Sequence, residues 1–204
     1  MSVRSVDPLS GDVAIGPLEK EHLDAADQVM RVAFGTFLGL PDPTRFAGDA
    51  SYVRPRWEAD PTSAFAATAD GAFAGSNFTT RWGSVGFFGP LTVRPDHWDR
   101  GLGARLVEAA MARFEDWGVR HAGLYTFADS AKHQGLYRRF GFRPRFLTAI
   151  LAKPAAAGAA DFIRYSTLDD ADRSAFLDEA RAVSDAIYEG LDLAEEIEAV
   201  RRLG

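Results

Sequence analysis

The sequence predicts a mixed α/β fold: a mostly antiparallel sheet with helices on both faces, followed by a C-terminal helical arm. Three observations carry this. Strand-like and helix-like segments follow one another as β-α-α-β-β-β-α-β-α-β over residues 13 to 153. Asp70-Gly71 stands between two strand-like runs, the strongest short-range hairpin signal. A strand ending at Val93 passes through a short loop into an amphipathic helix, the join from which α/β layers are built.

The elements follow in order. Val13-Ala14-Ile15 is a short apolar run and the first strand. Leu18 to Phe37 reads as helical, because Leu23, Ala26, Met30, Ala33 and Phe34 recur at i, i+3, i+4 spacing. Gly39 to Pro43 breaks it, and Arg54 to Trp57 leaves room for a short second helix. Ser63–Thr68 and Ala72–Thr80 flank the Asp-Gly turn. A third strand runs from Val85 to Val93, with Gly89-Pro90 marking a bulge or an edge. Gly101 to Trp117 is the long helix, with Leu102, Leu106, Ala110, Phe114 and Trp117 on one stripe and Gly118 as its C-cap. A strand from His121 to Phe127, a helix from Ser130 to Phe140 and a last strand from Arg145 to Lys153 complete the domain.

The small-residue stretch 154–160 then reads as a linker between a domain over 1–153 and an arm over 161–204. Thr167 is the expected N-cap of the arm's first helix, and Asp192 with Glu195 opens a second. Tyr165-x-x-Leu168 with Arg181 echoes Ile15-x-x-Leu18 with Arg31 at a constant offset of 150, as the start of a second repeat would. Phe176, Ala180, Val183 and Ile187 form a stripe that needs a partner, either this domain or a second copy in a homodimer.

Bulk properties narrow the function. A net charge of −6 argues against a nucleic-acid partner, which needs a concentrated basic surface. No cysteine is present, so disulfides, thiolate metal sites and a cysteine nucleophile are excluded. The histidines show no zinc spacing, and no metal is expected. No apolar run approaches the roughly 18 residues of a membrane span, and residues 1–8 lack the apolar stretch of a signal peptide. A cytoplasmic location is the default expectation.

The informative segment runs from Leu91 to Arg105. Gly101 and Gly103 lie between a strand end and a helix start, where a backbone without Cβ approaches a ligand closely. Free N–H groups at such a start, backed by the helix dipole, suit a phosphate, and Arg100 and Arg105 could add charge-assisted bonds. The same glycines also serve plain helix–sheet packing. A dinucleotide fingerprint would need a third glycine where Leu106 stands, and a P-loop would need Gly-Lys-Ser/Thr, which is absent.

Two linked motifs here resemble the GNAT superfamily of N-acetyltransferases. Val93-Arg94-Pro95 followed by Gly101-Leu102-Gly103 matches its strand, Val-x-Pro, and Gly-x-Gly opening a long helix. Leu136-Tyr137 followed by Gly141-Phe142 matches its later Leu-Tyr and Gly-Phe. The resemblance spans roughly residues 13 to 153. It implies acetyl-CoA as co-substrate and transfer of an acetyl group to a primary amine by direct attack. The loop Trp98-Asp99-Arg100-Gly101-Leu102-Gly103-Ala104-Arg105 would grip the pyrophosphate. The backbone of Leu91, Thr92 and Val93 would pair with the pantetheine arm where the sheet splays, and the Ser130 hydroxyl would reach the same arm. Tyr137 would return a proton to the leaving thiolate. Three positions depart from the pattern: Trp98 where Gln or Arg is usual, Ser130 for Asn, and His133 for Ala.

An attacking alkyl amine, with a pKa of about 10.4, needs a base or an ordered water chain. His97, Asp129 and His133 lie near the motifs, and each also has an ordinary role as a loop residue, an N-cap or a surface residue. Phe34, Phe37, Phe46, Trp57 and Trp82 could wall the acceptor, a small-molecule or protein amine, or simply pack the core. The alternative function is a non-catalytic CoA-binding module of the same fold.

Overall fold

The computed structural model describes residues 12–149, 151, 154 and 162–203. Two compact units emerge: the described residues up to Arg81 together with Gly86–Leu124, and Trp82–Val85 together with the described residues from Tyr125 on.

The first unit is built on the sheet. β1 (Val13–Pro17) leads through a 3-10 turn into α1 (Leu23–Phe37) and α2 (Val53–Ala59). β2 (Ala64–Ala69) and β3 (Ala72–Trp82) form the expected hairpin, and Asp70 and Gly71 both take positive φ, 52° and 76°. β4 (Val85–Phe88) and β5 (Thr92–Val93) follow, then α3 (Leu102–Trp117) and β6 (His121–Gly123). The strand order is β1-β2-β3-β4-β6, with β5 paired to β3 beside that path. The pairings of β1 with β2, β2 with β3 and β5 with β3 are antiparallel.

The strand expected from Val85 to Val93 is thus two pieces. Gly89 N–H donates to Phe78 O at 2.8 Å, and Thr92 then pairs with Ser76. Three steps on one strand oppose two on β3, so the Gly89-Pro90-Leu91 segment carries one extra residue, as a bulge does. β6 pairs with β4 and not with β5, which among the described residues leaves the outer edge of β5 open and the sheet splayed.

α1 buries Leu23, Ala26, Met30 and Ala33, and its cluster includes Leu18, Val53, Ala64, Ala66 and Phe78. α3 contributes Leu102 and Leu106 to a separate cluster with Ala67, Ala69 and Ala74. Helices therefore cover both faces. Asn77 on β3 is fully buried, and its Nδ2 donates to the Leu106 carbonyl of α3 at 3.1 Å. Its Oδ1 has no partner among the described residues.

The connection from α1 to α2 is tied down by one side chain. Arg31 donates to the carbonyls of Phe46 (2.7 Å), Gly48 (2.8 Å) and Ala50 (2.8 Å), and to Asp27 at 2.7 Å. Gly35 lets this loop lie flat on α1, since a Cβ there would stand 2.3 Å from the Pro43 oxygen.

The second unit holds α4 (Ala131–Arg138), α5 (Asp170–Asp185) and α6 (Ala194–Leu203). The turn Trp82–Val85 belongs to it: Ser84 N–H donates to Gly190 O (2.7 Å), Ser84 Oγ to Glu189 O (2.6 Å), and Trp82 Nε1 to Glu196 (3.2 Å). Asp169, not Thr167, caps α5, accepting from Asp172 N–H; it stands directly before the helix, while Thr167 bonds Arg164 O. Asp192 accepts from Ala194 N–H at 2.8 Å and opens α6. The strand expected from Arg145 is not formed over residues 145–149, where Phe146 and Leu147 are exposed and no ladder partner occurs among the described residues. Residues 150, 152 and 153 of that strand, and the linker except Pro154, lie outside the described residues.

Candidate functional site

In the first unit the site begins at β5. Gly75 pairs with Val93 and Ser76 with Thr92. Gly75 has to lack a side chain, because a Cβ would meet Thr92 O at 2.4 Å. Ser76 Oγ and Thr92 Oγ1, both buried, lie 3.3 Å apart. One residue on, Arg94 N–H donates to Ala74 O at 2.8 Å. In an extended strand the N–H and C=O of one residue share an edge, and the edge alternates along the chain. With Arg94 turned towards β3, Val93 presents both main-chain groups to the open edge.

A 3-10 turn over Pro95–His97 follows, held by Arg94 on Asp96 at 2.6 Å. That guanidinium also lowers the Asp96 carboxyl below its ordinary pKa. His97 lies 3.8 Å from the same carboxylate. The Trp98 indole N–H then donates back to Val93 O at 2.8 Å. Asp99 (φ 63°) and Gly101 (φ 85°) are both left-handed, and Gly101 caps α3 with no side-chain bond. Ala104 and Arg105 N–H turn back on Gly101 O (3.1 and 3.3 Å). The first-turn amides of Leu102 and Gly103 therefore point out of the helix start, where the dipole favours an anion. Nothing lies within 4 Å of where a Gly101 Cβ would stand. Arg105 reaches back instead, donating to Val13 O at 2.7 Å. Leu91 packs beside the cluster that holds Leu102 and Leu106.

Ser130 and Tyr137 belong to the second unit. Ser130, not Asp129, is the N-cap of α4, accepting from His133 N–H. Its Oγ also lies 2.7 Å from His133 Nδ1, so two departures from the family pattern are bonded to each other. The sequence did offer a signal, a Ser and a His spaced i, i+3 at a helix start. Burial, with Lys132 nearby, lowers the His133 pKa, and the Phe127 ring tilts towards it at 6.3 Å. Tyr137 is buried, packs edge-on to Phe142 at 6.5 Å, and burial pushes its phenol up to about 12.

The proposed acceptor walls divide. Phe34, Phe46 and Trp57 pack against the α1 core; Phe34 stacks on Phe46 at 5.1 Å, and Trp57 Nε1 donates to Leu18 O at 2.7 Å. Phe37 is partly exposed, and Trp82 lies in the second unit. A cavity of about 230 Å³ between α1 and α2 is polar instead, lined by Leu23, Asp24, Asp27, Arg31, Ser51 and Arg54. Among the described residues no cluster of three or more His, Asp or Glu could hold a metal, and no helix is long and apolar enough to cross a membrane.

A model of the acetyltransferase (GNAT) family matches residues 32–142. A mycothiol acetyltransferase of Clavibacter michiganensis subsp. michiganensis is 32% identical over 122 residues, covering 59% of this chain. The chain spans only 40% of that relative's length. The ribosomal-protein-S18-alanine N-acetyltransferase of Escherichia coli is a structural neighbour, with TM-score 0.53 and 22% identity over 66% of this chain and 80% of its own. So is a PaiA N-acetyltransferase of Thermoplasma acidophilum in complex with coenzyme A, with TM-score 0.54 and 17% identity over 65% and 90% of the two chains. At these identities the likeness is one of fold.

Proposed function

Because this chain belongs to the acetyltransferase (GNAT) family, and so to the acyltransferases, we propose that it moves an acetyl group from acetyl-CoA to a primary amine by direct attack. The observation that carries this reading is the pair of outward groups in one loop: the open-edge backbone of Val93 and the uncapped start of α3. An uncapped helix start with open space at Gly101 fits a diphosphate. Acetyl-CoA, when bound, supplies the acetyl thioester.

The chain's own groups take the remaining roles. Leu102 and Gly103 amides, within the loop from Trp98 to Arg105, hold the diphosphate, with Arg100 contributing charge. Leu91, Thr92 and Val93 form the edge along which the pantetheine amides align. The Val93 N–H polarises the thioester oxygen as negative charge gathers there, a contribution of about 3 kcal/mol for one such donor. The neutral amine nitrogen bonds the acetyl carbon, the carbon–sulfur bond breaks, the nitrogen gives up one proton to solvent, and the thiolate takes a proton from a donor that solvent then reprotonates. Tyr137 is the donor, and a phenol raised to about 12 stays protonated throughout the neutral range. Ser130 supports the acyl arm through α4, with its hydroxyl shared with His133.

The acceptor is a small-molecule or protein amine. The relatives' names span both kinds, one referring to mycothiol and one to an alanine of a ribosomal protein. Incubation with acetyl-CoA and a panel of primary amines should release free CoA thiol. Tight acetyl-CoA binding without release across the panel would favour a binding module instead. Tyr137→Phe should lower thiol release about 100-fold or more and leave acetyl-CoA affinity unchanged.

A further inference from the structure

Trp98 stands where the family's loop usually has Gln or Arg, and its indole bonds the chain's own backbone. The bond is specific: Nε1–H to Val93 O at 2.8 Å, closing a ring from the last residue of β5 to the loop. Val93 O faces the open edge of the sheet, because the adjacent Arg94 N–H faces β3. The indole therefore occupies the outward acceptor of Val93 and leaves its outward donor uncovered. Immediately after Trp98 the chain makes two left-handed residues within three, and Asp99 is not a glycine. Asp takes this region more readily than most side chains, through local hydrogen bonds, but less freely than glycine, so neighbouring contacts help to hold it there. The α3 end of the loop is fixed by Leu102, which is 1% exposed. The β5 end is fixed by the indole.

We infer that Trp98 is a positioning residue for acetyl-CoA, holding the Val93 carbonyl so that the diphosphate loop is formed before the ligand arrives and so that Val93 meets the acyl arm through its N–H alone. This rests on the proposal that the loop binds the diphosphate of CoA. The indole is directed at the main chain and not at the ligand, so its effect on affinity comes through a loop already ordered.

Calorimetric titration of acetyl-CoA and of ADP into wild type and Trp98→Phe tests it. The variant keeps the ring and loses the donor. Its dissociation constant should rise about fivefold for both ligands, the size of one net hydrogen bond. Equal affinity of variant and wild type would overturn the inference and leave the function standing. A loss with acetyl-CoA but not with ADP would also overturn it, since the effect would then lie outside the diphosphate loop. No heat from wild type with acetyl-CoA would instead remove the function itself. Should Trp98→Phe fail to fold, ligand-free wild type answers separately. The Trp98 indole N–H should exchange slowly with solvent by NMR, and fast exchange would overturn the latch.

Discussion

α1 and α5 start from the same sequence pattern and end differently. Each follows an aromatic or aliphatic residue, two spacers and a leucine, and each carries an arginine at the same offset. α1 buries Leu23, Ala26, Met30 and Ala33. α5 buries only Ser184 and leaves Val183 67% exposed. Arg31 gathers three backbone carbonyls, whereas Arg181 meets, among the described residues, the side chains of Asp178 and Asp192. The apolar stripe of a helix states a requirement for a partner, and the surrounding chain decides whether it is met. For α1 the partners are α2 and the β2–β3 hairpin.

Paired substitutions should reproduce that contrast. Met30→Ala should cost about 3 kcal/mol in denaturant unfolding, because it leaves a cavity in a closed core, whereas Val183→Ala should stay within about 0.5 kcal/mol. Equal losses would mean that α5 has a covering surface in solution. Arg31→Ala should cost about 2 kcal/mol by stranding the part-buried Phe46 carbonyl and releasing the loop from α1, and Arg181→Ala should leave the unfolding midpoint in place. Gly35→Ala should cost about 1–3 kcal/mol, since its Cβ has no room beside Pro43.

Tyr137 supplies the smallest and most specific test, as a buried side chain in the second unit. Its phenol is raised from 10 to about 12, so the folded state holds the proton more tightly than the unfolded one. The associated stability is complete below pH 10 and is lost as pH rises through 12. An ultraviolet phenolate titration should show a late-titrating tyrosine that disappears in Tyr137→Phe. A wild-type titration with no component near pH 12 would place this ring in water.

Much of this was legible beforehand because it depends on local rules. Asp70-Gly71 makes its turn because both residues accept positive φ, and Gly118 ends α3 for the same reason. Gly89-Pro90 marks a bulge because it interrupts the ladder with β3. What stayed hidden depends on which atoms the fold brings together. The Trp98 indole and the Arg31 guanidinium both bond main-chain oxygens, and every residue has one. The bond between Ser130 and His133 depends on which residue starts α4, and Asp129 was an equal candidate by composition. The strand expected from Arg145 to Lys153 is not formed over 145–149, because apolar residues such as Phe146 and Leu147 fix no neighbour to pair with.

Asn77 adds a mechanical consequence. Its amide is a polar rivet between β3 and the second turn of α3, beside a cluster of buried alanines and leucines. The directional bond to Leu106 O, with that of Arg105 to Val13 O, indexes α3 against the sheet. Since Leu102 and Gly103 open that helix, the direction of their amides is set several residues away, by a side chain of the sheet.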